Sequence, residues 1–210
     1  MVQLLKEMEE YAKENNIPIM MDDGLKFIED YIKKNNVKRI LEIGSAIGYS
    51  AIRMCLNENI CITTIERDEV RYKEAVKNIK KAKLENQITL IYDDALNIDL
   101  DEKYDLIFID AAKGQYIKFF EKFEKNLSEK GAIISDNLKF HGYTEQKERI
   151  KSKNLRQLVN KIRKYIEFLK ENNTYQTTFY DIGDGIGVTK KVDCQIVCVD
   201  TNKWWLILGG

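Results

Sequence analysis

The sequence predicts an α/β fold: a mostly parallel sheet with helices on both faces. Three observations predict it. Short apolar runs recur from Lys38 onward, the intervals between them show apolar residues at three- and four-residue spacing, and those intervals are long enough for the crossovers that parallel neighbours require. Two helices come first, at 2–15 and 22–35, because Leu4, Leu5, Met8 and Tyr11, then Leu25, Ile28, Tyr31 and Ile32, recur at helical spacing. The only proline, Pro18, separates them. The apolar runs RILEI (39–43), ICITTI (60–65), ITLIY (88–92), DLIFID (105–110) and AIISD (132–136) read as buried strands. Helices at 49–57, 69–84, 114–127 and 153–171 fill four of the intervals, the last with one stripe of Leu155, Leu158, Val159, Ile162, Tyr165, Ile166 and Leu169. TYQTTFYDI (174–182), a Gly-Asp-Gly turn at 183–185 and IGVTKK (186–191) predict a terminal antiparallel hairpin, which brings the strand count to seven.

Composition narrows the function classes. A chain of 210 residues suits one large domain, or one domain with an appendage. Its 44% hydrophobic and 32% charged residues exclude a disordered or collagen-like chain. Lys+Arg and Asp+Glu are both 34, so overall basicity does not direct the protein to nucleic acid, though a local patch remains open. Cys55, Cys61, Cys194 and Cys198 form no CxxC pair and His141 is the only histidine, which disfavours a closed zinc site and predicts reduced, buried thiols. The amphipathic, charged N-terminus does not read as a secretory signal, and no apolar stretch approaches the ~18 residues of a membrane span. The expectation is a cytoplasmic protein without a membrane partner. Residues 192–210, ending in Trp204, Trp205, Leu206, Ile207 and Leu208, differ in character and are expected to be an interaction tail or sequence foreign to the domain.

The first turn, LEIGSAIGYS, places Gly44 and Gly48 between a buried strand and a helix, where the backbone can turn sharply and approach a ligand. The spacing is GxxxG rather than GxGxxG, and no GK[ST] follows, so a nucleoside without a pyrophosphate is favoured. Glu66, ending the second strand, can accept hydrogen bonds from both ribose hydroxyls. Asp94 and Ala95 occupy the next loop on the same sheet edge, where a carboxylate can accept the adenine amino hydrogen. Asp110 and Asp136-Asn137 end the fourth and fifth strands, presenting three oxygen donors suited to Mg²⁺; solvated acids capping βα loops are the competing reading.

E-x-G-x-x-x-G-Y-S at 42–50, Glu66, Asp94-Ala95 and FIDAAKGQY together resemble the S-adenosylmethionine- and metal-dependent O-methyltransferases of the catechol and caffeoyl-CoA type. The two-helix N-terminus and PIM at 18–20 resemble the bacterial branch that methylates tRNA 5-hydroxyuridine, and the resemblance spans about residues 1–191. It implies a Rossmann-like class I methyltransferase domain, often dimeric. It also implies cofactor contacts from Met20, Gly44, Ser45, Ser50, Glu66, Asp94, Ala95 and Asp110, a metal held by Asp110, Asp136 and Asn137, and Lys113 as general base. A divalent cation and partial burial would make such a lysine a better base and would acidify the acceptor hydroxyl.

Between Lys139 and Lys170, ten Lys and Arg residues stand against Glu145, Glu148 and Glu167, a local charge of +7 beside the expected metal ligands. A phosphate backbone would suit this segment, and Phe140, His141 or Tyr143 would stack on an unpaired base. The expected acceptor is therefore the wobble 5-hydroxyuridine of tRNA, whose hydroxyl and C4 carbonyl form a vicinal oxygen pair. A small catechol or caffeoyl-type acceptor is the alternative, and a non-catalytic cofactor-binding module is a third reading.

Overall fold

β-Branched residues crowd the apolar runs, and they build the strands that a computed structural model of the chain shows over residues 1–56, 59–146 and 150–192. The predicted tail beyond Val192, Cys194, Cys198, Lys147, Glu148 and Arg149 lie outside the described residues. Helices α1 (Val2–Glu14) and α2 (Asp22–Lys34) precede an alternating series: β1 (Arg39–Ile43), α3 (Tyr49–Cys55), β2 (Cys61–Glu66), α4 (Glu69–Ala82), β3 (Ile88–Tyr92) and β4 (Tyr104–Ile109). Then follow α5 (Tyr116–Phe123), β5 (Leu127–Ser135), α6 (Lys153–Glu171) and the hairpin β6 (Tyr175–Tyr180) and β7 (Ile186–Lys191).

The seven-stranded sheet has the order β3-β2-β1-β4-β5-β7-β6. β1 to β5 run parallel, and β7 is antiparallel to both β5 and β6. Successive strand residues face opposite sides, so the core divides in two. Ile40, Leu106, Phe108 and Ile134 pack with Ile28, Ile32, Ile52 and Ile79 from α2, α3 and α4. Leu41, Ile107, Ile109 and Ile133 pack with Phe120, Phe123, Tyr165 and Leu169 from α5 and α6. From β1 the chain moves outward through β2 to β3, whereas β4 and β5 lie on its other side. Connections leaving in opposite directions open a crevice at the carboxyl ends of β1 and β4, where open α/β sheets bind ligands.

Helix α3 ties the N-terminal helices to this crevice. Arg53 donates from Nε to Glu29 Oε1 at 2.9 Å and from Nη1 to Asp22 Oδ1 at 3.1 Å, and Tyr49 donates to Glu9 Oε1 at 2.5 Å. The α1–α2 connection is thereby held against the sheet edge.

Two expectations need correction. The helix expected at 114–127 is a 3-10 turn at Lys113–Gln115, then α5, then a second 3-10 turn at Glu124–Asn126, and β5 starts at Leu127 rather than at 132. Buried Asn126 causes the early stop by donating to Leu100 O at 2.6 Å and Glu102 O at 2.9 Å, which steers Leu127 into register with Tyr104. The thiols were expected to be buried; Cys55 is, but Cys61 at the start of β2 is exposed. No helix among the described residues is long and apolar enough to cross a membrane.

Between β5 and α6, the hydroxyls of Ser135 and Tyr165 lie 2.6 Å apart, both fully buried. Removing one orphans the other in an apolar setting. Tyr165→Phe is expected to lower unfolding free energy by about 1–3 kcal/mol in chemical denaturation. The same change at half-exposed Tyr180 should leave it unaltered.

Candidate active site

The carboxyl ends of the parallel strands open into one cavity of about 620 Å³. Met20, Gly44, Ser45, Ser50, Glu66, Asp94, Ala95, Asp110, Lys113, Asp136 and Asn137, widely separated in sequence, all line it. Met20 belongs to the α1–α2 connection and closes one side.

The first turn explains its own glycine. Gly44 has φ +99°, and a Cβ there would lie 2.3 Å from the carbonyl oxygen of Asp110. Only a residue without a side chain lets the ends of β1 and β4 meet so closely. Ser45 follows, donating its N–H to Ile65 O at 3.2 Å. Its Oγ is buried without a hydrogen-bond partner among the described residues. A buried hydroxyl left unpaired costs about 1–3 kcal/mol, so this atom suits a polar group of a bound ligand.

At Glu66, the N–H of Ala46 reaches Oε2 and the N–H of Asp68 reaches Oε1, both at 2.8 Å. Each oxygen retains a lone pair, and the carboxylate is fixed in orientation. Asp94 is similarly engaged: Leu96 N donates to Oδ1 at 3.0 Å and Arg67 Nη1 to Oδ2 at 3.1 Å. The Leu96 N–H foremost, and Arg67 with it, hold the Asp94 carboxyl below its usual range. Arg67 and neighbouring Arg71 also line the cavity, and neither was singled out from sequence.

Ser50 donates its hydroxyl hydrogen to Glu42, so toward any ligand this oxygen can only accept. Glu42 itself is a residue that the sequence reading left out of the site. It is fully buried on β1, its second oxygen accepting from Thr64 Oγ1 at 2.5 Å. Burial pushes its carboxyl up to about 7, helped by Asp110 and Glu66 and opposed by the two hydroxyl donors. The signal was available: a lone acid inside the apolar run RILEI has no solvent-facing position.

The other end of the cavity is acidic. Burial raises the Asp110 carboxyl, while Lys113 pulls it down. Burial, and next the Asp110 charge, push Asp136 up to about 7, against the Asn137 N–H and Lys113. Lys113 Nζ donates to Asn137 Oδ1 at 2.5 Å and lies 5.8 Å from the centre of the Phe140 ring. Asn137 adopts φ +58°, a conformation that asparagine tolerates better than most residues. Asp184, read from sequence only as part of a turn, also reaches this end. It accepts from the N–H of His141 at 2.5 Å and from Asn137 Nδ2 at 3.4 Å. Leu138 N to Gly185 O at 2.9 Å and Lys139 N to Asp184 O at 2.7 Å fasten the hairpin turn to the segment after β5.

Among the described residues no group of three or more His, Cys, Asp or Glu side chains is placed to hold a metal. The expected donor set is two carboxylates and one carboxamide. Asp110 and Asp136 oppose each other's ionisation, a cation between them would relieve it, and the Asn137 oxygen already faces an ammonium. In donor chemistry these residues fit a hard divalent ion.

The basic segment is less free than its composition suggested. Arg163 donates to Tyr143 O at 3.2 Å, Thr144 O at 3.0 Å and Gln146 O at 2.7 Å. Arg156 donates to Ile150 O, and Lys139 pairs with Asp181 at 2.7 Å and Glu145 at 3.4 Å. These three cations hold the chain's own groups.

Glu42 also has a consequence for stability. Its carboxyl has a usual value of 4.5 and sits at about 7 in the fold, so the folded chain keeps a proton that the unfolded chain releases. This contribution is complete below 4.5 and is lost as pH rises through about 7. Glu42→Gln is therefore expected to match the parent in thermal unfolding at about pH 4 and to exceed it at about pH 8 by on the order of 3 kcal/mol.

Residues 1–192 match the sequence profile of the O-methyltransferase family. Among solved structures, the chain is similar to a Staphylococcus aureus protein with the provisional name caffeoyl-CoA O-methyltransferase, at 40% identity and TM-score 0.84, covering 89% of this chain and 91% of the other. It also shares its fold with the SAH-bound Podospora anserina methyltransferase PaMTH1, at 23% identity and TM-score 0.82, over 90% and 88% of the two chains. Caffeoyl-CoA O-methyltransferase of Populus kitakamiensis is 27% identical over 203 residues, 90% of this chain and 86% of the relative. With a match that runs from the first helix through the terminal hairpin, the chain belongs to the O-methyltransferase family.

Proposed function

We propose that this protein methylates one hydroxyl of a small vicinal diol, with S-adenosylmethionine as donor and Mg²⁺ as the resident ion. One shared cavity carries this reading: an orphaned Ser45 hydroxyl and a pinned Glu66 line it together with an acid pair, a carboxamide and Lys113. The SAH-bound relative supports the donor, and the caffeoyl-CoA in the names of two relatives supports a catechol acceptor.

When bound, the donor supplies an electrophilic methyl group, and a divalent ion on Asp110, Asp136 and Asn137 acidifies and aligns the two acceptor oxygens. Glu66, fixed by the N–H groups of Ala46 and Asp68, would accept from the ribose hydroxyls, and Asp94, kept ionised by Leu96 N–H and Arg67, would accept from the adenine amino group. A polar group of the donor would give Ser45 Oγ its missing partner. Lys113, in its neutral form, would take the hydroxyl proton at Nζ. The backbone of Gly44 and Asp110, in mutual contact, brings donor and acceptor ends together, so alignment accounts for much of the rate.

The expected tRNA acceptor gives way to the small diol. Lys139, Arg156 and Arg163 are engaged within the chain, which removes three of the ten cations that argued for a phosphate backbone.

Catechol and hydroxyuridine-bearing tRNA offered side by side should yield methyl ether on the catechol, abolished by chelator and restored by Mg²⁺. Preferential transfer to tRNA would reinstate the RNA acceptor, and chelator-insensitive transfer would overturn the metal assignment. Lys113→Ala is expected to lower kcat by about 10²–10⁴-fold while calorimetric SAH affinity stays unchanged.

A further inference from the structure

We infer that Asp184 is a positioning residue that fixes which end of the Asn137 carboxamide faces the cavity. This rests on the proposal that Asp110, Asp136 and Asn137 hold a divalent ion. An ion needs the amide oxygen, yet the two ends of a carboxamide have nearly the same shape, and a half-turn of the side chain exchanges them. Asn137 Nδ2 donates to Asp184 Oδ2 at 3.4 Å, while Oδ1 accepts from Lys113 Nζ. A carboxylate only accepts, so it holds the nitrogen, repels the oxygen and excludes the flipped amide. A hydroxyl or amide at position 184 could donate as well as accept and would tolerate either orientation. Lys113 favours the same orientation until an ion occupies Oδ1 and displaces the ammonium. From then on Asp184 holds the amide.

The carboxylate is itself held independently of the amide. Asp184 lies in the turn between β6 and β7, 47 positions from Asn137, and is buried. Its Oδ1 accepts from the His141 N–H at 2.5 Å, and its carbonyl accepts from Lys139 N at 2.7 Å. On the far side of the turn, Gly183 N donates to Asp23 of α2 at 3.1 Å. A Cβ at Gly185 would fall 2.7 Å from Lys139 Cγ, so the turn sits directly against the segment after β5. Among the described residues no three acids are grouped to hold an ion, so Asp184 acts through Asn137 and not as a ligand. Its charge opposes the ionisation of Asp136, a cost that a neutral acceptor would avoid. Control of the amide accounts for a carboxylate at this position.

The test is a double-mutant cycle read by Mn²⁺ binding to the SAH-loaded protein, followed by loss of the free-ion electron paramagnetic resonance signal. Asp184→Asn keeps an acceptor for the His141 N–H but lets residue 184 donate to the amide oxygen. It is expected to weaken Mn²⁺ binding by about 10–100-fold, with calorimetric SAH affinity unchanged as the check on folding. Asn137→Asp supplies a ligand with oxygen at both ends, which needs no orienting. Made in that background, Asp184→Asn should weaken Mn²⁺ binding by no more than about threefold. Losing the Asp184 charge weakens a cation site in both backgrounds, so the difference between the two losses isolates orientation. Equal losses in the two backgrounds, or no loss with Asn137 in place, would refute the role of Asp184 and leave the metal assignment standing. A parent protein that binds no Mn²⁺ would remove that assignment and this role together.

Discussion

The approach of Gly44 to the carbonyl of Asp110 is the contact on which the rest of the structure depends. It joins the ends of β1 and β4, the neighbours from which the two halves of the parallel sheet diverge. Loops from the β2 and β3 side carry Glu66 and Asp94, and loops from the β4 and β5 side carry Asp110, Lys113, Asp136 and Asn137. One half offers hydrogen-bond acceptors suited to a nucleoside, the other offers hard oxygen donors, and the glycine removes what would separate them. A methyl group transferred in line has to cross a short gap, so close abutment of the two halves is a requirement of the chemistry.

Electrostatics runs through the same junction. Glu42, Asp110 and Asp136 are crowded acids beneath the cavity, and burial lifts the carboxyls of all three. Ser50 and Thr64 satisfy Glu42 with hydroxyl donors. Asp110 and Asp136 have instead the ammonium of Lys113 acting on them. The contrast divides a structural acid, tied into its own strand and helix, from two acids facing an open space. A crowded, buried acid pair of this kind costs the fold stability.

Most of the architecture was legible in the sequence because apolar periodicity tracks burial. RILEI and ITLIY fall on β1 and β3 residue for residue, and IGVTKK on β7. The start of β5 was not legible, since Ser128, Glu129 and Lys130 are polar and the strand begins where Asn126 pins the chain from outside. Within the cavity, residues at strand ends were readable from their spacing. Glu42, Asp184 and Arg67 were not assigned, for different reasons. Glu42 does not line the cavity itself and reaches it only through Ser50. Asp184 acquires its role only when the hairpin folds back on the segment after β5. Arg67 matters through the position that Asp94 takes in space. The basic segment misled because charge counts do not reveal which guanidinium groups already serve backbone carbonyls.

The hairpin turn has a broader implication. Asp184 grips the backbone at His141 and the side chain of Asn137, while the adjacent Gly183 N–H is held by Asp23 of α2 at 3.1 Å. The turn between the last two described strands thus abuts both α2 and the cavity wall formed by Asn137 and His141. A change in the length or composition of this bend would therefore reshape the cavity wall at Asn137 and His141, while the half that carries Glu66 and Asp94 keeps its shape.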